Sequence, residues 1–163
     1  MSLPLPLEPH IAQQADQQKI DWIGQMELDV VLDSAISGGQ LSVVRIHACR
    51  GDASPVHVHS RDDEAFLLIE GQMTVWVGDT RTVLLPGGIG YLPREIPHAF
   101  RFDTDSVALT LTTPAGQESF FRQAGWDLSR PRPEGWTISP DSLRDAAAAN
   151  GVSVVAPPHG LED

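Results

Sequence analysis

At 163 residues, the chain is long enough for one domain with a sizeable core, without help from disulfides or a structural metal. Twenty-two acidic side chains against 11 Lys and Arg give a net charge of −11, which repels phosphate backbones and anionic membranes and excludes nucleic acid as an expected partner. Cys49 is the one cysteine; with no internal disulfide, no basic-then-apolar leader in MSLPLPLEPH and no apolar window of about 18 residues, the chain reads as soluble and cytoplasmic, with no membrane partner.

Residues 1–19 open on Pro/Leu alternation and continue into the polar stretch 13–18, a pattern that predicts an N-terminal arm. Residues 20–113 then carry short runs of Val, Leu, Ile, Phe and Thr, and strands are predicted over 27–32, 40–48, 64–69, 73–77, 82–85, 89–92, 99–102 and 107–112. Turn signals separate them: Ser37-Gly38-Gly39, Glu70-Gly71, Gly78-Asp79 and Pro86-Gly87-Gly88. Short strands at this spacing predict an all-β domain, a small β-barrel or double-sheet fold. Residues 114–163 change texture. A helix-compatible stretch over 114–124 ends at Gly125, and a second helix is marked by Ser139 as N-cap, Pro140 in the first turn, an alanine run and an Asn150-Gly151 stop. These helices are too short for a core of their own and are expected to pack on the barrel as a helical extension.

The chemistry concentrates between positions 51 and 98. In an extended strand His57 and His59 share a face roughly 7 Å apart, so both imidazoles can look into one cavity. Glu64 lies beyond a polar turn at 60–63, on the strand going back, and His98 arrives from a separate hairpin. Together His57, His59, Glu64 and His98 can close on one divalent transition metal; imidazole nitrogen and carboxylate oxygen suit Fe, Mn, Co, Ni or Zn. The alternative, two turn histidines and one packed barrel histidine, fits a lone His-x-His better than four residues in register. Glu64 is a candidate catalytic proton acceptor as well as a ligand. Asp62 and Asp63 read as a solvated turn that can still orient a histidine.

Strand parity names the candidate substrate pocket. If Glu64 points inward, so do Phe66 and Leu68, and His98 shares its face with Phe100 and Phe102. The four apolar positions, Phe66, Leu68, Phe100 and Phe102, suit the wall of a pocket for a flat small-molecule substrate, or equally a plain core. Arg45 and His47 share one face of their strand: inward, they orient substrate; outward, they are solvated.

The spacing Gly51-x5-His57-x-His59-x4-Glu64-x6-Gly71 resembles the first signature of the cupin superfamily, and Gly87-x5-Pro93-x-Glu95-x2-His98 resembles the second. Glu95 stands where a glycine is usual and Phe102 where an asparagine is usual; neither is a metal ligand in that family, so the departures bear on turn geometry. Flanking segments, among them Asp63-Glu64-Ala65-Phe66, Thr113-Pro114-Ala115-Gly116 and the stretch 154–158, are similar to those of single-domain quercetin 2,3-dioxygenase-like cupins. The resemblance implies a small jelly-roll barrel, a divalent metal held by three His and one Glu, and a homodimer, with Val75 and Val77 offered as apolar outer faces. It implies, less directly, a dioxygenase acting on a flavonol-like or other enolizable aromatic substrate. A redox-neutral metal-dependent cyclase, isomerase or hydrolase, or a non-catalytic small-molecule-binding cupin, shares the same metal site.

Overall fold

The computed structural model describes residues 7–162, so the first six positions of the expected arm lie outside the described residues. Strand β1 (Gln18–Asp21) already begins within the stretch read as an arm, and it pairs antiparallel with β2 (Glu27–Leu32). A single helical turn, α1 (Ser34–Ser37), follows; Asp33 caps it by accepting from the Ile36 amide, and Gly38 ends it in the left-handed region. The chain then runs through β3 (Ser42–Ala48), β4 (Val56–His59), β5 (Asp63–Glu70), β6 (Met73–Val77), β7 (Thr80–Leu84), β8 (Ile89–Leu92), β9 (His98–Phe102) and β10 (Ser106–Thr113). After β10 come α2 (Gln117–Ala124), the short β11 (Trp126–Asp127), α3 (Pro140–Ala149) and β12 (Val152–Ala156).

The strands form two antiparallel sheets, in the orders β11-β1-β2-β3-β10-β5-β8 and β12-β4-β9-β6-β7. The architecture is therefore the double-sheet form of a jelly roll. Strands β11 and β12, both from the segment after position 113, extend one sheet each. Alternation along the strands lays the core between the sheets: Val44 and Ile46 from β3, Phe66 and Leu68 from β5, Met73 and Val75 from β6, and Phe102 from β9 are buried there. Val75, expected on an apolar outer face, belongs to this core, and Val77 packs against it. The reason is that Trp76 takes the outer position on β6, where it stacks on His159.

Helices α2 and α3 close one end of the sandwich. Ser139 caps α3 through a 3.0 Å bond from the Ser142 amide, with Pro140 as the first helical residue. Phe120 and Phe121 of α2 meet the Trp22 ring edge-on, at centroid distances of 5.0 and 4.8 Å. That cluster ties the helices to the β1–β2 connection and builds a wall facing the interior of the sandwich.

Candidate metal centre

The two sheets meet chemically at four side chains. His57 and His59 alternate inward from β4, and His98, paired with His57 across the β4–β9 ladder, points the same way. Glu64 comes from the opposite sheet, at the start of β5, and is 2% exposed. One ligand atom from each of the four lies within 4.8 Å of every other. The sequence spacing anticipated this group, and the structure brings all four members together.

Hydrogen bonds fix which atom each residue presents. The Nδ1 atoms of the three histidines face acceptors: the Pro55 carbonyl at 2.8 Å from His57, Asp62 Oδ2 at 2.7 Å from His59, and the Ile96 carbonyl at 3.0 Å from His98. With Nδ1–H donated outward, each Nε2 keeps its lone pair for the centre of the cluster. Glu64 Oε2 completes the set, 3.2 Å from His98 Nε2 and 3.6 Å from His59 Nε2. Asp62 is thus a buried partner of His59, while its neighbour Asp63 turns outward to a two-point pair with Arg94, at 3.0 Å each.

Electrostatics favour the same arrangement. Burial, followed by the neighbouring His98, pushes the His57 imidazole down to about 4, so it is neutral and able to ligate at neutral pH. Burial also acts on His59, but the Asp62 hydrogen bond and the charges of Glu64 and Asp62 outweigh it and raise its pKa. Burial opposes the Glu64 charge, yet the His98 hydrogen bond and the surrounding histidines hold its carboxyl well below the usual carboxylate range. Three imidazole nitrogens and one carboxylate are a donor set for a borderline divalent ion, and the residues fit such an ion.

Three members of the cluster, His57, His59 and Glu64, form the floor of a cavity of about 520 Å³. Its walls are mainly apolar: Phe66 and Phe100, Met26 and Leu28, the Trp22–Phe120–Phe121 group, and Leu143 from α3. Of the pocket residues expected from parity, Phe66 and Phe100 line it, packed edge-on at 4.9 Å. Leu68 and Phe102 share the inward parity but sit one layer deeper, fully buried in the core and away from the cavity. Phe102, in the place of an asparagine, therefore fills the core and does not line the pocket.

For Arg45 and His47, offered for the pocket, the outward alternative holds. Ile46 takes the inward position on β3 and lines the cavity, so its two neighbours face outward. There they meet Asp29: Arg45 Nη1 and His47 Nε2 each lie 3.0 Å from Oδ2, and Lys19 Nζ lies 2.7 Å from Oδ1. The residues that parity missed are Thr110 and Gln117, which line the cavity and bond to Glu64, and the aromatic wall from Trp22 and α2. Thr110 was legible in principle, because the strand after position 105 places Ala108, Thr110 and Thr112 on one face.

Residues 46–114 match the family model described as the Cupin domain. Quercetin 2,3-dioxygenase of Bacillus subtilis (strain 168) is 24% identical over 115 residues, covering 71% of this chain and 34% of that protein. The chain thus spans about a third of that relative's length. Among solved structures, an RmlC-like cupin from Shewanella frigidimarina NCIMB 400 superposes with a TM-score of 0.59 at 21% identity, over 68% of this chain and 96% of the other. A predicted oxalate decarboxylase from Thermotoga maritima does so with a TM-score of 0.59 at 12% identity, over 64% and 99%. At these identities the likeness is one of fold.

Proposed function

This chain is a cupin-superfamily protein, and we propose that it is a metal-dependent enzyme, a dioxygenase acting on a flavonol-like or other enolizable aromatic molecule. The observation that carries the reading is the pairing of a three-His, one-Glu cluster with an adjoining cavity walled by aromatic and aliphatic side chains. A divalent ion held there would supply Lewis acidity and, with four protein ligands, coordination positions left for a substrate oxygen and dioxygen.

The protein's own residues do the rest. The Nε2 atoms of His57, His59 and His98 and the Glu64 carboxylate would hold the ion, the carboxylate offsetting one of its charges, and the apolar walls keep bulk water away. Trp22, Phe66, Phe100, Phe120 and Phe121 present ring faces and edges to a planar ligand. Among the described residues one Arg or Lys lines the cavity, Arg144, which lies 2.7 Å from Asp141. A neutral aromatic ring with one ionisable hydroxyl finds apolar surface in the walls and a metal site at the floor. The distant match to quercetin 2,3-dioxygenase supports the same substrate class.

A homodimer belongs to this reading; the exposed Ile89 and Tyr91 on the edge strand β8 support it, and a solution mass showing only monomer removes it. The activity is tested by an oxygen electrode with metal-reconstituted protein and a panel of flavonols. Stoichiometric oxygen uptake is expected. Turnover that proceeds without oxygen, with Zn bound, would move the assignment to a redox-neutral cyclase, isomerase or hydrolase, and metal-loaded protein that turns over nothing in the panel would contradict the dioxygenase.

A further inference from the structure

We propose that Gln117, acting with Thr110, is a positioning residue for Glu64: the two hold Oε1 in hydrogen bonds and thereby aim Oε2 at the three imidazoles. The proposal rests on the reading of the four-residue cluster as a metal centre. Gln117 Nε2 donates to Glu64 Oε1 at 2.8 Å, and the single Thr110 hydroxyl proton goes to the same oxygen, 2.6 Å from Oγ1, in preference to Gln117 Oε1 at 3.1 Å. A carboxylate oxygen has two lone-pair sites. Both sites of Oε1 are occupied, so that oxygen is free neither to join a bidentate contact with an ion nor to take a proton from a substrate.

The division of labour between the two oxygens follows from where they sit. Oε2 faces His98 and His59 across the gap between the sheets, while Oε1 faces the β10–α2 side. A glutamate side chain has three rotatable bonds and in an apolar pocket would otherwise exchange its oxygens freely. The two donors remove that freedom, and Glu64 becomes a one-oxygen ligand of fixed direction. This argues against the second role open to Glu64, that of proton acceptor.

Gln117 also gives the arrangement its location in the chain. It is the first residue of α2 and lies just past the 46–114 segment that matches the cupin domain. One turn further, Phe120 and Phe121 form part of the cavity wall. The helix that shapes the substrate end of the cavity therefore also sets the orientation of a metal ligand.

The test is an anaerobic Co(II) titration of the full chain, read by the visible d–d absorption of the bound ion, for the wild type and three variants. Gln117→Met keeps length and removes both polar atoms; Thr110→Val keeps shape and removes the hydroxyl; Thr110→Ser keeps the hydroxyl. Loss of one such outer hydrogen bond typically weakens metal binding by about 10–100-fold. That loss, with shifted d–d bands, is expected for Gln117→Met and Thr110→Val, and near wild-type affinity for Thr110→Ser. Co(II) bound by wild type, Gln117→Met and Thr110→Val with equal affinity and identical spectra would overturn the positioning role while leaving the metal centre intact. No Co(II) bound by the wild type would overturn the metal centre itself, and the proposal with it.

Discussion

Glu95 shows how a single residue can keep a turn that its side chain disfavours. Its φ is +66°, the left-handed region, in the position where the resembling family usually has glycine. Its amide donates to the His59 carbonyl at 2.8 Å, so the turn that delivers His98 is tied to the strand carrying two other ligands. A side chain in this region costs roughly 1–2 kcal/mol, part of which glycine forfeits again through the freedom of the unfolded chain. Glu95→Gly is expected to stabilise the fold by up to about 1 kcal/mol in urea denaturation; a clear loss would mean that the Glu95 side chain contributes something the backbone argument omits. Asp29 gives a second residue-scale expectation. Burial raises its carboxyl, but hydrogen bonds from Lys19, His47 and Arg45 outweigh this and hold it at about 2 against an ordinary 3.8. With the folded value below the unfolded one, the stabilisation is complete above the unfolded value and is lost as pH falls through 3.8 toward 2, amounting to about 2 kcal/mol. Unfolding free energies measured at pH 6 and near pH 2.5 should fall further for the wild type than for Asp29→Asn; equal losses would contradict the assignment. At this scale the four ligands were legible because ligand spacing is local and parity puts each on one face. Arg45 and His47 were not, since the sign of a face depends on which neighbour, here Ile46, finds the core.

Elements were legible where propensity and turn chemistry agreed. The strands at 27–32, 73–77 and 89–92 begin and end where the sequence places them, and α3 runs from its Ser139 cap to its Asn150-Gly151 stop. Gly71, at φ +88°, turns β5 into β6 against Ser106 and the Asp105 carbonyl, where an added Cβ would overlap both. Less visible were β1, β11 and β12, which are two to five residues long and depend on a long-range partner for their existence. Strand β10 inverts the usual pattern: Thr110 and Thr112 are buried while Val107, Leu109 and Leu111 are half-buried on the other face. Hydrophobicity alone therefore misassigns that strand, and with it the hydroxyl that reaches Glu64. Helix α2 was expected near its place, but its contribution to the cavity required knowing that Phe120 and Phe121 meet Trp22, some hundred residues earlier. Phe121 is 6% exposed, and Phe121→Ala is expected to cost about 3–5 kcal/mol, the range for deleting a buried aromatic ring. A loss below about 1 kcal/mol in denaturant unfolding would mean that α2 is not bound to the sandwich through this cluster.

On the scale of the whole molecule, the sandwich brings ligands from opposite sheets to one point, three histidines from one and a glutamate from the other. Among the described residues no helix is long and apolar enough to cross a membrane, and the net charge of −11 disfavours polyanionic partners. Between the sheets lies a cavity with a polar floor and apolar walls, and in the proposed function the floor binds the metal and the walls the substrate. An ion bound only by the folded state also stabilises it, by about 2.7 kcal/mol when free metal is a hundredfold above its dissociation constant. The most direct test is elemental analysis of the purified protein, before and after reconstitution, beside a His57→Ala/His59→Ala control. About one transition-metal ion per chain in the wild type, absent from the control and accompanied by a higher melting temperature, is the expected result. No metal in the wild type even after reconstitution would contradict the metal centre and leave the cavity as a binding site alone.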